Sequence, residues 1–134
     1  MNIALWIVQA LLAAAFLMAG GMKLATPHDA LMAQMSWAAH VPAMGVKFIG
    51  LVEVLGALGL VLPSALRIKP GLTPLAAAGL VSTMIGAAAL HISIGEGAMI
   101  APNLVLGSLA AFVAWGRSRR VRIDGRTTAP AAGT

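Results

Sequence analysis

Apolar residues dominate four long stretches of the chain, over residues 3–22, 43–62, 72–92 and 100–115. A helix rises about 1.5 Å per residue, so some 20 residues cross a hydrocarbon core of about 30 Å. The first three stretches are long enough, and Ala98 and Met99 extend the fourth by half a turn. Lipid cannot satisfy backbone hydrogen bonds, whereas helices satisfy their own. The pattern therefore predicts an all-α membrane protein, a four-transmembrane-helix bundle.

At about 100° per residue, each span gathers its polar residues on one stripe. Trp6, Gln9, Ala13, Phe16, Gly20 and Lys23 align on the first span, and Val46, Gly50, Glu53, Ala57 and Leu60 on the second. The third aligns Thr73, Ala77, Met84, Ala87, Ala88, His91 and Gly95, and the fourth Asn103, Gly107, Ala110 and Ala114. These stripes also carry small residues, which let helices approach closely in lipid. All four are expected to face the bundle interior.

Between the first two spans, "ATPHDALMAQMSWAAHVPAM" has Thr26 before Pro27 and Asp29 in a first turn. Leu31, Met32, Met35 and Ala38 then recur at helical spacing. This predicts a short interfacial helix, lying at the membrane surface or dipping back onto the bundle, with Trp37 at headgroup level. A signal peptide ending near "FLMAGG" is the competing reading of the first span, but the basic leading region is missing and Lys23 follows the run.

Composition agrees with lipid as the solvent. The 134 residues are 60% hydrophobic and 10% charged, against about 25% charged in a typical soluble domain. The net charge of +5 would suggest nucleic acid in a soluble protein, yet seven of the nine basic residues fall in two places. Arg67 and Lys69 follow the second span; Arg117, Arg119, Arg120, Arg122 and Arg126 follow the fourth. Four spans put both places on one side, which the positive-inside tendency makes cytoplasmic. The expected location is the cell inner (cytoplasmic) membrane, with both termini inside and no nucleic-acid partner. Residues 1–117 read as one four-helix domain without internal repeats. Residues 118–134 read as a basic, disordered tail whose arginines sit on anionic lipid or act only as a topology signal.

With no cysteine, disulfides and thiol chemistry are excluded. Three histidines and four acidic residues leave little for a metal cage, and His91 with Glu96 in a turn is too generic a pair for one. The chemical candidates are Glu53, Gln9, Asn103, His91 and Lys23. Glu53 falls near mid-membrane, Gln9 roughly 5 Å to its inner side and Asn103 about 7 Å to its outer side. Lys23 and His91 stand roughly 13 Å or more outward. Gln9 and Asn103 are thus the expected partners of Glu53, in a polar column opening outward from mid-membrane. A direct Lys23–Glu53 pair is not expected; Lys23 and Lys47 read as snorkelling anchors. Glu53 itself is either a neutral structural acid, hydrogen-bonded between helices, or a proton or ligand site.

Several stretches, "ALWIVQALLAAAFLMAGGMKL", "EVLGALGLVLP", "LTPLAAAGLVSTMIGAAALH" and "NLVLGSLAAFVAWGR", together resemble the DoxX-like family of small bacterial membrane proteins. The matching positions are Gly20, Lys23, Leu24, Glu53, Gly56, Gly59, Pro63, Pro74, Gly79, Met84, His91 and Asn103, within about residues 3–117. The resemblance implies a four-helix membrane protein. It also implies association with thiosulfate oxidation to quinone or with membrane redox complexes in oxidant defence, although the lack of cysteine speaks against sulfur chemistry. The leading functional expectation is a redox-associated module that contacts quinone or another lipophilic ligand through the mid-membrane polar cluster. A non-enzymatic scaffold or assembly factor among the subunits of a membrane redox complex is the alternative. Proton-coupled solute transport is a third, and would call for a homodimer.

Overall fold

A computed structural model describes residues 1–125. Five α-helices follow one another: α1 (Asn2–Ala25), α2 (His28–Gln34), α3 (Ala43–Leu66), α4 (Leu72–Ser93) and α5 (Ile100–Trp115). There is no strand among the described residues. α1, α3, α4 and α5, the last with its flanking turns, are long and apolar enough to cross a membrane. They form the expected bundle, with α1 against α3 and α5, and α4 against the same two helices. The ends of α1 and α5, together with the α3–α4 connection, meet at what we term the arginine end. The opposite, glutamate end carries the α1–α3 and α4–α5 connections.

The predicted stripes of α1 and α3 are their buried faces, and that of α4 supplies most of its buried positions. On α5 only Ala110 of the stripe is buried, with Val113 beside it. Gln9, Ala13, Phe16, Gly20 and Lys23 are buried on α1, and Val46, Gly50, Glu53, Ala57 and Leu60 on α3. At mid-bundle Leu12, Phe16, Leu60, Leu80, Met84 and Val113 pack into one apolar core. Outward-facing Ile3, Leu11, Phe48, Leu75 and Leu104 are exposed, as a surface solvated by lipid requires.

α3 continues to Leu66, past the expected end at residue 62. Pro63 lies in the last turn, where its missing N–H forfeits a single helical bond. Arg67 then closes the helix in the left-handed region at φ 55°, and Lys69 repeats this at φ 46°. Two such residues, each costing about 1–2 kcal/mol, keep the connection short and turn it sharply.

The segment between α1 and α3 dips back onto the bundle. Leu31 of α2 and Ala38, in a 3₁₀ turn over Ser36–His40, pack with Val46 under Met22, Met35 and Trp37. Beyond Trp115, α5 ends in a single wide π-turn, Gly116–Arg120. The chain then returns over the α3–α4 connection, where Arg67 Nε donates to the Asp124 carbonyl at 2.9 Å. Of the expected tail, residues 118–125 are described and 126–134, Arg126 included, lie outside the described residues.

Candidate functional site

At the α1–α3 crossing the two backbones touch. A Cβ placed on Gly20 would lie 2.7 Å from the Gly50 carbonyl oxygen, and one on Gly50 would lie 2.9 Å from the Cβ of Lys23. This contact sets the register. Lys23 stands beside Gly50, only one turn from Glu53, and its four-carbon stem spans that turn. The ammonium donates to Glu53 Oε2 at 2.8 Å, with both side chains buried. The expectation against a Lys23–Glu53 pair is therefore overturned. α1 runs to Ala25, past the expected end at Met22, and the glycine contact fixes the relative heights of the two helices.

The ammonium also lies 5.8 Å from the centroid of the Trp37 ring, within cation–π range. Lys47 accompanies it as a cap. Its ammonium donates to the carbonyls of Lys23, Leu24 and Thr26, each at 2.9 Å, satisfying the end of α1 where the helix dipole favours a cation.

The amides expected beside Glu53 go elsewhere. Gln9 Nε2 donates to the Leu60 carbonyl at 2.5 Å, and Gln9 Oε1 accepts from Arg117 Nε at 2.6 Å. Leu60 is seven residues beyond Glu53 on α3, about 10 Å of helix rise. The apolar core separates the two levels, so two polar clusters replace the expected single column. Asn103 Nδ2 approaches the Met99 carbonyl of its own helix at 3.5 Å. Asn103 still borders the same cavity as Glu53 without bonding to it.

That cavity, about 330 Å³, opens between α3 and α4 at the glutamate end. Its apolar walls include Phe48, Ile49, Val52, Ala87 and Leu90; Lys23, Glu53, His91, Asn103 and Trp37 supply its polar and aromatic edge. Four of the five sequence candidates thus meet at one cavity, and Gln9 does not.

Above it, His91 Nδ1 lies 3.0 Å from Glu96 Oε2, and the Ser36 hydroxyl donates to Glu96 Oε1. Glu96 therefore ties the end of α4 to the turn that carries Trp37, rather than standing free. The Ser36 hydroxyl, followed by His91, holds the Glu96 carboxyl below the usual carboxylate range. Hydrogen bonds donated to a carboxylate favour its ionised form.

Two residues outside the expected candidates, Trp37 and Arg117, also stand in these clusters. Trp37, expected at headgroup level, also sets its ring beside the Lys23 ammonium. Arg117 was read as a topology signal, yet it is 3% exposed. The missed signal was periodicity: the stripe of Asn103, Gly107, Ala110 and Ala114 continues one turn further to Arg117.

Bundle and cavity together define a multi-pass helical membrane protein with a buried ion pair beside a laterally open pocket. The chain matches the DoxX-like family over residues 7–113 and belongs to that family. No curated protein matches it, and neither does any solved structure.

Proposed function

We propose that the cavity between α3 and α4 binds a small lipophilic ligand of the quinone class, and that the protein serves as a redox-associated membrane module. The observation that carries this reading is the placement of the Lys23–Glu53 pair on the edge of a pocket of about 330 Å³ with apolar walls. Ligand pockets pair largely apolar linings with a few placed polar groups, and buried ionisable groups in spans usually have a function. On this reading a quinone ring packs on the apolar walls, Phe48 and Leu90 among them, and its carbonyls accept from the Lys23 ammonium and the Asn103 amide. Entry is lateral, from the lipid. The chain lies in a bacterial inner membrane, with the arginine end cytoplasmic by its concentration of basic residues.

Trp37 reports on the site because the other tryptophans, Trp6 and Trp115, lie at the arginine end. Titrating a short-chain ubiquinone into the detergent-purified protein should quench Trp37 fluorescence saturably. Glu53→Gln should weaken binding. Gly86→Leu should block it while leaving the ion pair intact, because Gly86 borders the cavity and a Cβ there meets nothing within 4 Å. Linear, non-saturable quenching identical in all three proteins would reject the ligand site in favour of a scaffold role.

A further inference from the structure

The arginine end holds a second cavity, about 260 Å³, between the α3–α4 connection and the turn that ends α5. Arg117, Arg122, Ser118, Ser64 and Gly71 line it. Arg117 is the unusual member. Its Nε donates to Gln9 Oε1 at 2.6 Å, and one terminal nitrogen donates to Asn2 Oδ1 at 2.7 Å and to the Val121 carbonyl at 3.3 Å. Its face lies 5.2 Å from the Trp6 ring centroid. The other terminal nitrogen is buried and has no hydrogen-bond partner among the described residues.

Every partner that Arg117 has is neutral. Among the described residues no carboxylate forms an ion pair with it. The one acidic side chain at this end is Asp124, whose backbone carbonyl takes Arg67 and whose carboxylate pairs with neither Arg117 nor Arg122. A guanidinium removed from water needs a counter-charge, and neutral acceptors replace only part of its hydration. The buried cation is a fixed charge awaiting an anion.

The surroundings specify which anion. Arg122 is exposed and borders the cavity, with its Nε donating to the Ser118 carbonyl at 2.6 Å. Ser64 and Thr73 share one hydrogen bond at 2.6 Å, which leaves one of the two hydroxyl hydrogens without an acceptor. α4 begins here, adding the positive end of a 22-residue helix dipole. Arg117, Arg122 and the Ser64 hydroxyl border this one cavity, and paired arginines favour phosphate. The cavity lies where membrane spans end, the level occupied by phospholipid phosphates.

We propose that this cavity is a phosphate-binding site, built by Arg117 and Arg122, that seats the phosphate of an anionic phospholipid headgroup or a free phosphate. The site lies across the apolar core from the Glu53 cavity and is independent of any ligand there.

Calorimetric titration of the full chain in neutral detergent separates the sources. Dihexanoyl phosphatidic acid binding at one equivalent, with inorganic phosphate silent, assigns a lipid headgroup. Equal binding of both probes assigns free phosphate. Arg122→Gln should weaken the bound probe about tenfold, the loss expected for a charge-assisted hydrogen bond. Arg119→Gln removes the same charge from the same turn but does not line the cavity, and should leave affinity unchanged. Arg117→Lys, which keeps the charge and loses the fork, should also weaken binding; if that variant does not fold, the Arg122 and Arg119 comparison decides. No saturable binding of either probe, or equal weakening by Arg119→Gln and Arg122→Gln, would overturn the site.

Discussion

Gly20 and Gly50 face one another across the α1–α3 crossing, each so close that a Cβ on it would lie within 3 Å of the other's carbonyl oxygen. This approach has two consequences. It sets the relative heights of α1 and α3, and through them it brings the base of Lys23 within reach of Glu53. Packing, rather than hydrophobic transfer, drives helix association in lipid, so such a contact carries much of the bundle's specificity.

Gly20→Ala should therefore separate the helices. The added carbon meets backbone, which cannot rotate away as a side-chain tip can, and overpacking of this kind costs about 1–3 kcal/mol. Gly79→Ala is the matched control, because a Cβ at Gly79 meets nothing within 4 Å. Thermal melts of both variants in the same detergent should show a lower midpoint for the first and an unchanged or raised one for the second.

The Lys23–Glu53 pair should behave as a coupled unit. Removing one partner leaves the other charge buried without compensation, which costs about 3–5 kcal/mol. Lys23→Met and Glu53→Leu should each destabilise strongly, while the double variant should lose much less than their sum. A double-mutant cycle from unfolding in mixed micelles measures the difference. Additive losses would show that the pair is not coupled.

How far these features could be read from the sequence follows from which physical effects are local. The four spans and their inward faces were legible because lipid demands helices and helical periodicity sorts residues by face; the stripe through Gly50, Glu53 and Ala57 is the buried side of α3. Glu53, Lys23, His91 and Asn103, the polar residues on the expected inward stripes, border one cavity. Their pairing was not legible. It depends on the vertical offset between helices, which is set by the Gly20–Gly50 contact and not by either span alone. Arg117 was hidden by its neighbours, since a run of arginines reads as a topology signal even when its first member turns inward.

The Ser36–Glu96–His91 contacts predict a pH dependence with a definite sign. The carboxyl of Glu96 is held below the usual carboxylate range, first by the Ser36 hydroxyl and then by His91, with the charge of His40 acting in the same direction. A carboxyl whose folded value is depressed contributes stability that is fully present above its unfolded value. The contribution disappears as pH falls through the lower, folded value. Ser36→Ala should lower the thermal midpoint slightly at neutral pH, and the difference from wild type should shrink on acidification below the usual carboxylate range. A difference that is constant from neutral to strongly acidic pH would rule out this linkage.

Gln9 holds the arginine end together, because one side chain satisfies the Leu60 carbonyl through its amide hydrogen and Arg117 Nε through its oxygen. Gln9→Leu preserves approximate volume but removes the donor to the Leu60 carbonyl and one acceptor of Arg117, and the larger penalty falls on the buried cation. Removing a partner from a charged hydrogen bond costs about 1–3 kcal/mol or more, and the variant should unfold at correspondingly lower denaturant. Adding Arg117→Met to Gln9→Leu removes the group left unsatisfied and should recover part of that stability. If Arg117 is instead held mainly by Asn2 and by stacking on Trp6, Gln9→Leu alone will be mild and the second substitution will add its own loss. The order of the three stabilities, wild type, single and double variant, therefore distinguishes a glutamine that anchors the arginine from one that merely lies beside it.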